Sequence, residues 1–335
     1  MIPKIEKKCQ PHAWQIALKN VIRDPKVLLE RLNLDDTYLP MAEKAGQLFP
    51  LRVSESFVTR MHKGDPHDPL LRQVLPLEEE YHEVQGFTDD PLKEREQNPI
   101  PGLLHKFKGR VLLTVTSACP VHCRYCFRRT FSYSENNPGR DKWQQAFDYI
   151  ARDNTIHEVI LSGGDPFTLD DDYLNFFMQH INSILHVKIL RIHTRMPIMI
   201  PERITDELIH TLISTRLKPV VVVHCNHPQE IDASVGSALK KLAQHTHVLN
   251  QSVLLHGVND DADTLRSLSE KLFAHDVMPY YLHQLDQVTG TAHFAVDDKT
   301  AINLHQQMAA QLPGYLVPRL VREVAGFAAK QAILP

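Results

Sequence analysis

Between residues 109 and 286 the sequence alternates short β-branched runs with longer amphipathic stretches, and this alternation restricts the possible folds more than any other feature. Amphipathic stretches such as "DKWQQAFDYIARDN" and "DADTLRSLSEKLFAHD" separate most of the runs. Strands that alternate with helices form right-handed crossovers and a parallel sheet. Six such units, where a complete barrel has eight, predict an α/β fold with a partial, TIM-like (β/α)6 barrel. The β-branched runs lie near residues 109–116, 157–163, 187–194, 218–226, 248–257 and 277–286.

Polar clusters follow these predicted strands, each at the end where the strand leads into a helix. The first is a cysteine cluster, and after it come "SGGDP", "HTRMP", "HCNHP", "HGVND" and "HQLDQVTG". In βα barrels the loops after the carboxyl ends of the strands meet on one rim and form the active site. The sequence therefore predicts a single active site built from these loops.

The rest of the chain divides around the predicted barrel. Residues 1–100 read as a helical or irregular N-terminal region, in which "HAWQIALKNVI" and "DPKVLLERLNL" have helical spacing and the part after Asp65 is rich in proline and acid. Residues 101–295 hold the barrel strands, and residues 296–335 form a C-terminal segment. We predict these as three regions.

Composition excludes several classes of protein. The 37 basic and 40 acidic residues give a net charge of −3, which offers no electrostatic attraction to nucleic acid or to a membrane surface. No apolar run reaches the roughly 18 residues that a membrane span needs, and the N-terminus does not read as a signal peptide. Three of the 5 cysteines cluster, which is unlike a disulfide framework, so we expect a cytoplasmic protein.

The cysteine cluster has C-x3-C-x2-C spacing. Three thiolates can hold three irons of a [4Fe–4S] cluster and leave one iron open, where a small molecule can chelate through an amine and a carboxylate. The alternative is a zinc site with His122 or a distant fourth ligand, but zinc ligands usually come as C-x2-C pairs and no second pair exists. Isolated Cys9 and Cys225 are typical of small buried side chains. The predicted ligands are Cys119, Cys123 and Cys126.

The loop "CPVHCRYC", with Tyr125 before its last cysteine, resembles the radical S-adenosylmethionine superfamily. The resemblance implies that the open iron binds methionine's amino and carboxylate groups. An electron from a donor such as flavodoxin or ferredoxin would then release a 5′-deoxyadenosyl radical. "SGGDP" resembles the superfamily's glycine motif, which implies S-adenosylmethionine contacts at Ser162, Gly163, Gly164 and Asp165.

A narrower resemblance covers most of the chain from about residue 50. "PLRVSESFVTRMHKGDPHDPLLRQVLP", "CRYCFRR", "HTRMPIMIPERIT", "NQSVLLHGVND" and "YYLHQLDQVTGTAHF" resemble the lysine 2,3-aminomutase family. The family's activity implies an isomerase that moves the amino group of (S)-α-lysine from C2 to C3 and releases β-lysine, in the R form. The short terminal regions resemble the branch that supplies β-lysine for modification of translation elongation factor P, which implies a functional link to the lysylating ligase.

The family also uses pyridoxal 5′-phosphate, and the resemblance implies that Lys330 carries it. Read from the residues alone, Lys330 would be a solvated tail lysine. The longer relatives have glycines before this lysine, whereas residues 325–329 are "AGFAA" here. The resemblance further implies that Arg110 and Gln251 hold the cofactor.

Substrate contacts are implied in the same way. Arg128 would pair with the α-carboxylate of lysine, and Asp286 and Glu323 would hold the distal ammonium. His283 stands where relatives often have a tyrosine near the cofactor. His193 and His224, on predicted strands, are as typical of buried core histidines as of pocket residues.

Three functions compete at this point. The first is the aminomutase, acting on lysine or on another amino acid. The second is a radical S-adenosylmethionine enzyme without pyridoxal phosphate, such as a repair lyase or an activase. The third is a zinc-bearing binding module without catalysis.

Overall fold

The computed structural model describes residues 12–136, 139 and 142–334, so Cys9 lies outside the described part. In that part nine strands form one sheet, in which each strand is bonded to its neighbours in chain order. The strands are β1 Leu103–Phe107, β2 Arg110–Thr116, β3 Glu158–Gly163, β4 Ile189–Thr194, β5 Lys218–His224, β6 His247–Val253, β7 Met278–His283, β8 Arg319–Arg322 and β9 Gln331–Ala332.

Strands β2 to β8 are parallel, while β1 and β9 run antiparallel to their neighbours at the two ends of the sheet. The sheet order does not bring β1 next to β9, so the barrel is partial, as the sequence predicts. The six predicted strands correspond to β2 to β7. The structure adds a seventh parallel strand, β8, which lies in the segment 296–335 and has only 4 residues. A strand of 4 residues is too short to show a hydrophobic periodicity in the sequence, so the sequence does not predict β8.

Helices or helical turns follow the parallel strands. Several longer helices begin with an aspartate or threonine whose side chain accepts the N–H three residues on, which satisfies a helix-end donor. The helices are α1 Ala13–Lys19, α2 Pro25–Leu32, α3 Leu39–Leu48, α4 Glu55–Val58, α5 Pro69–Arg72, α6 Tyr133–Asn136, α7 Gln144–Arg152, α8 Asp171–Ser183, α9 Met196–Met199, α10 Asp206–Ile213, α11 Ala233–Ala243, α12 Ala262–Phe273 and α13 Asp298–Gln311. None of the helices in these ranges has the length and apolarity to cross a membrane.

The main core lies between the sheet and the helices. On β4, Leu190 and Ile192 pack into this core, whereas Arg191 and His193 alternate with them and face the barrel interior. The same core includes Trp14, from α1, so the N-terminal helices pack on the barrel. Burial of each leucine or isoleucine side chain contributes about 1.5–3 kcal/mol to the free energy of folding. The outward faces therefore stabilise the barrel, which leaves polar residues free to line its interior.

Candidate active site

The loops after the parallel strands meet at one end of the barrel. The cysteine loop (residues 117–130) follows β2, and "SGGDP" lies at the end of β3. Arg128 of the cysteine loop donates from Nη1 to Ser162 Oγ at 3.1 Å. Asp165 binds the backbone that follows β4. The first three loops of the predicted rim, those after β2, β3 and β4, are thus in contact in the structure.

The three cysteines are partly exposed and form no disulfide within the described residues. Burial raises the pKa of the Cys119 thiol well above its usual value and that of Cys126 to about 11. The charge of Arg52 favours the thiolate form of Cys119, and the charges of Arg128 and Arg129 favour that of Cys126. Arg195 donates a hydrogen bond to Cys123 Sγ. Cysteines bind iron as thiolates, so each thiol must lose its proton when the cluster binds. The nearby arginines favour this loss, which makes the loop suitable for a metal cluster.

A single metal ion fits these residues poorly. In the described ranges no three His, Cys, Asp or Glu side chains converge as ligands of one ion. Zinc requires ligands at about 2.0–2.3 Å from one centre. The thiolates of an iron–sulfur cluster each bind a different iron, so they stand further apart. Three cysteines in one loop, with no second C-x2-C pair in the sequence, suit the cluster better than zinc.

The two glycines of "SGGDP" bring this turn against the cysteine loop. Gly163 has φ +111°, and a Cβ there would lie 2.6 Å from Thr116 O. A Cβ on Gly164 would collide with Ala118 O. Gly164 N–H donates to Thr116 O at 2.6 Å, and Asp165 N–H to Ala118 O at 2.7 Å. The glycines therefore fix the position of the cysteine loop, and they leave a backbone surface that a ligand can approach.

Asp165 is buried and its carboxylate is engaged by the protein. It accepts from Thr194 Oγ1 at 2.7 Å and from the backbone N–H groups of Phe167, Arg195 and Met196 at 2.6–3.0 Å. Four donors thus occupy its two oxygens. The predicted contact with the methionine amine would have to replace one of these donors.

A row of alternating charges runs from the cysteine loop to Lys330. Arg128 donates from Nε and Nη2 to the two oxygens of Glu94 at 2.8 and 2.9 Å. Lys106, on β1, contacts Glu94 at 2.8 Å and Glu323 at 2.9 Å. Lys330 donates to the second oxygen of Glu323 at 2.7 Å. The structure therefore joins the predicted carboxylate-binding Arg128 to the predicted cofactor lysine through three intervening side chains, Glu94, Lys106 and Glu323.

Glu94 and Lys106 are absent from the sequence-based site. Glu94 lies in the acidic, proline-rich segment, and Lys106 in "LLHKF", where each reads as a solvated charge. Burial alone would raise the pKa of Glu94, but Arg128 and Lys106 lower it. In the same way, Lys330 and Lys106 overcome burial and lower the pKa of Glu323 to about 2. Both carboxylates are therefore ionised at neutral pH.

Asp286 lies beside this row without joining it. In the described part of the chain its carboxylate has no hydrogen-bond or ion-pair partner. Burial and the charge of Glu323 raise its pKa to about 7, against the opposing effect of Lys330 and Lys106. A half-buried carboxylate without a partner is less well solvated than one in water, and an incoming cation would offset this cost. Asp286 is thus available for an ammonium group.

Aromatic and histidine side chains surround Lys330. Its Nζ lies 5.8 Å from the centre of the Tyr281 ring. Burial and nearby cations lower the pKa of His193 and His283 well below the usual value, so both are neutral. His193 Nε2 is buried and has no hydrogen-bond partner among the described residues. His224, in contrast, bonds to Tyr125 Oη at 2.8 Å.

The predicted phosphate contacts, Arg110 and Gln251, lie on two strands of the barrel. Arg110 begins β2, and its guanidinium stacks over the Phe107 ring at 4.8 Å. Gln251 is half-buried on β6 and paired in register with Tyr281. Within the described residues, the hydrogen-bond partner of the Lys330 ammonium is Glu323, and a bound cofactor would have to connect Lys330 to Arg110 and Gln251.

Comparison with known proteins agrees with this geometry. Residues 113–230, which hold the cysteine loop and "SGGDP", match the model described as "Radical SAM superfamily". The fold and the site thus define a radical S-adenosylmethionine enzyme. An L-lysine 2,3-aminomutase of Haemophilus influenzae is 48% identical over 314 residues, 93% of each chain. The chain therefore belongs to the lysine 2,3-aminomutase family, and its predicted membership is confirmed.

Further relatives extend the match. Proteins with the same name are 46% identical over 93% of this chain and 92% of the relative in Escherichia coli, and 32% over 96% and 78% in Clostridium subterminale. A solved radical SAM methyltransferase from Sphaerobacter thermophilus is similar at TM-score 0.45 and 16% identity, over 67% of this chain and 71% of that one, too weakly to add information. Family membership makes the chain an isomerase and implies a [4Fe–4S] cluster, S-adenosylmethionine and pyridoxal phosphate as cofactors.

Proposed function

We propose that the enzyme converts (S)-α-lysine to (R)-β-lysine by moving the amino group from C2 to C3, with pyridoxal phosphate as an essential cofactor. The observation that carries this proposal is the pair of opposite charges at the two ends of one site. Arg128 lies at the cysteine-loop end, while Asp286 and Glu323 lie at the other end beside Lys330. Lysine has an α-carboxylate and a distal ammonium in the matching order.

Each cofactor has candidate residues. The cysteines (Cys119, Cys123 and Cys126) would hold the cluster, and Ser162 to Asp165 would line the S-adenosylmethionine site. Lys330 would carry pyridoxal phosphate, with Arg110 and Gln251 on its phosphate. Bound together, the cofactors supply a radical that abstracts hydrogen and a carbonyl group through which nitrogen moves between C2 and C3.

Arg128 is oriented before substrate arrives. Glu94 holds its Nε and Nη2, and Ser162 holds Nη1, so the guanidinium cannot rotate freely. One N–H on each of Nη1 and Nη2 is then left for a ligand. These two N–H groups form the fork that pairs with a carboxylate through two parallel hydrogen bonds. Orientation before binding reduces the entropy lost when substrate binds.

The acidic end distinguishes lysine from other amino acids. An ammonium that enters beside Asp286 stabilises the ionised carboxylate, which lowers the pKa of Asp286 from about 7. A glutamate substrate would instead place a third negative charge beside Asp286 and Glu323. The neutral His193 and His283 add no positive charge that would repel the ammonium. Glu323 is already paired with Lys106 and Lys330, so Asp286, which has no such partner among the described residues, is the group that favours a basic side chain.

One assay tests this proposal. Protein reconstituted anaerobically with iron, sulfide and pyridoxal phosphate is incubated with reductant, S-adenosylmethionine and lysine. Chiral derivatisation and mass spectrometry should detect (R)-β-lysine, and no product should form from glutamate. Formation of 5′-deoxyadenosine without any β-amino acid would refute the aminomutase reaction and favour a radical enzyme of another kind.

The cellular role rests on the family resemblance. We propose that the product is the substrate of the elongation factor P lysylating ligase, and that the enzyme works in the cytoplasm, where unpaired cysteine ligands stay reduced. Co-production with that ligase and the factor should add the mass of one β-lysyl group to the factor. A Lys330→Ala enzyme should abolish this addition.

A further inference from the structure

Arg195, in the loop after β4, connects Cys123 to a buried polar network. Its Nη1 donates to Cys123 Sγ and to Tyr125 Oη, each at 2.8 Å. Its Nη2 donates to Gln73 Oε1 at 2.6 Å and to Glu230 Oε2 at 3.1 Å. Arg195 is only 6% exposed and Glu230 is fully buried, so water screens their charges little.

Glu230 is held as an anion at the far side of Arg195. Its Oε1 accepts from Gln73 Nε2 and from the backbone N–H groups of Asn226 and His227 at 3.0–3.1 Å. Burial would raise the pKa of Glu230, but Arg195 and these donors lower it. The Arg195 guanidinium is cationic. Its Nη1 contacts the sulfur of Cys123, and its Nη2 contacts the carboxylate of Glu230.

Stability alone does not account for this arrangement. The desolvation of two buried charges can exceed their attraction, so a buried ion pair is weak evidence of stabilisation. In the described part of the chain, Cys123 is the one predicted cluster ligand whose sulfur accepts a hydrogen bond from a guanidinium. Hydrogen bonds to cluster sulfurs and nearby charge are the means by which proteins set iron–sulfur reduction potentials.

We propose that Arg195 is a positioning residue that raises the reduction potential of the cluster, and that Glu230 limits this effect by offsetting its charge. The inference rests on the proposed function, because it requires Cys123 as a cluster ligand. In the step concerned, [4Fe–4S]²⁺ takes one electron from an external flavodoxin- or ferredoxin-type donor and becomes [4Fe–4S]⁺. Arg195 keeps its proton, and its N–H group stabilises the added negative charge on sulfur.

Anaerobic redox titration followed by electron paramagnetic resonance tests the proposal on the reconstituted full-length protein. Arg195→Met should shift the midpoint potential to more negative values, and Arg195→Lys should shift it by less. Glu230→Gln should shift it to more positive values. Arg203→Lys is the matched control, because Arg203 is also buried and paired with an acid, Asp171, but contacts none of the cysteines. Its potential should equal that of the wild type.

Iron and sulfide analysis separates failure of this inference from failure of the proposed function. Wild-type protein without about four irons per chain would refute the cluster itself. A loaded wild type with unchanged potentials in both the Arg195 and the Glu230 variants would refute the tuning role alone. If the Arg195 variants do not retain iron, the Glu230→Gln variant tests the proposal by itself. A midpoint potential of this variant that equals or lies below that of the wild type contradicts the proposal.

Discussion

At the scale of single residues, the site depends on charges that are buried beside partners distant in sequence. Lys106 and Glu323 are 217 positions apart, yet their side chains meet at 2.9 Å. Asp286 is the exception, because it has close charges but its carboxylate is bonded to none of the residues that the structure describes. Asp286 therefore changes its charge near neutral pH, whereas the paired Glu323 stays ionised there.

We expect kcat/KM for lysine to rise with pH through about 7, the raised pKa of Asp286. Below that value Asp286 is neutral and attracts the substrate ammonium weakly, whereas above it the carboxylate is charged. The ammonium itself keeps its proton up to about pH 10. The pH profile of kcat/KM measures this free-enzyme group.

Asp286→Asn should remove this rise and lower kcat/KM by about 10- to 100-fold, since a hydrogen bond to a charged group contributes about 1.5–3 kcal/mol. Its pyridoxal phosphate content should match that of the wild type. Equal loss of cofactor and turnover would contradict the substrate role of Asp286.

Lys330→Ala should abolish the near-visible absorbance of lysine-bound pyridoxal phosphate, because no other group is proposed to bind the cofactor covalently. The variant should still load iron, since Lys330 is remote in sequence from the cysteine loop and bonds to Glu323 instead. Lys299→Ala, which changes an exposed lysine, is the control. A persistent absorbance in Lys330→Ala would mean that another lysine carries the cofactor.

At the scale of elements, the pair of glycines at the end of β3, Gly163 and Gly164, determines where the cysteine loop lies. Gly164→Ala should lower the iron content after reconstitution and destabilise the protein, because the new Cβ collides with backbone, which cannot rotate aside like a side chain. Gly46→Ala, inside α3, has no atom within 4 Å of the added Cβ and serves as the control. It should load iron normally and gain up to about 1 kcal/mol. Normal iron loading in Gly164→Ala would contradict this role.

The sequence predicts the elements with regular patterns and misses those without them. Alternation of Val, Ile and Leu identifies β2 to β7 because burial against helices requires it. The short β8 carries too few residues for a period, and β1 and β9 are edge strands. The cysteines and the glycines are found because their spacing is local. Glu94, Lys106, Arg195 and Glu230 are missed because only the folded chain brings their partners to them.

At the scale of the whole molecule, the N-terminal helices and the barrel share one core. Leu28, on α2, is fully buried in the same cluster as the outward-facing Leu190 of β4. Leu28→Ala should cost about 2–5 kcal/mol, as for other buried leucines. Circular dichroism and loss of cluster absorbance should still change in one coincident thermal transition, at a lower temperature than in the wild type. Two separate transitions would show that the N-terminal helices unfold independently.

The contact between Lys106 and Glu323 has a mechanical consequence. Lys106 is on β1, at one edge of the sheet, and Glu323 directly follows β8, the strand beside the other edge. This ion pair therefore connects the two ends of a sheet whose edge strands, in the described part of the chain, are not bonded to each other. The gap between the two ends of the sheet is therefore bridged by side chains of the charged row that runs from Arg128 to Lys330. We expect a lysine ammonium that binds Glu323 to compete with Lys106 for this carboxylate, and so to weaken the link between the two ends of the sheet.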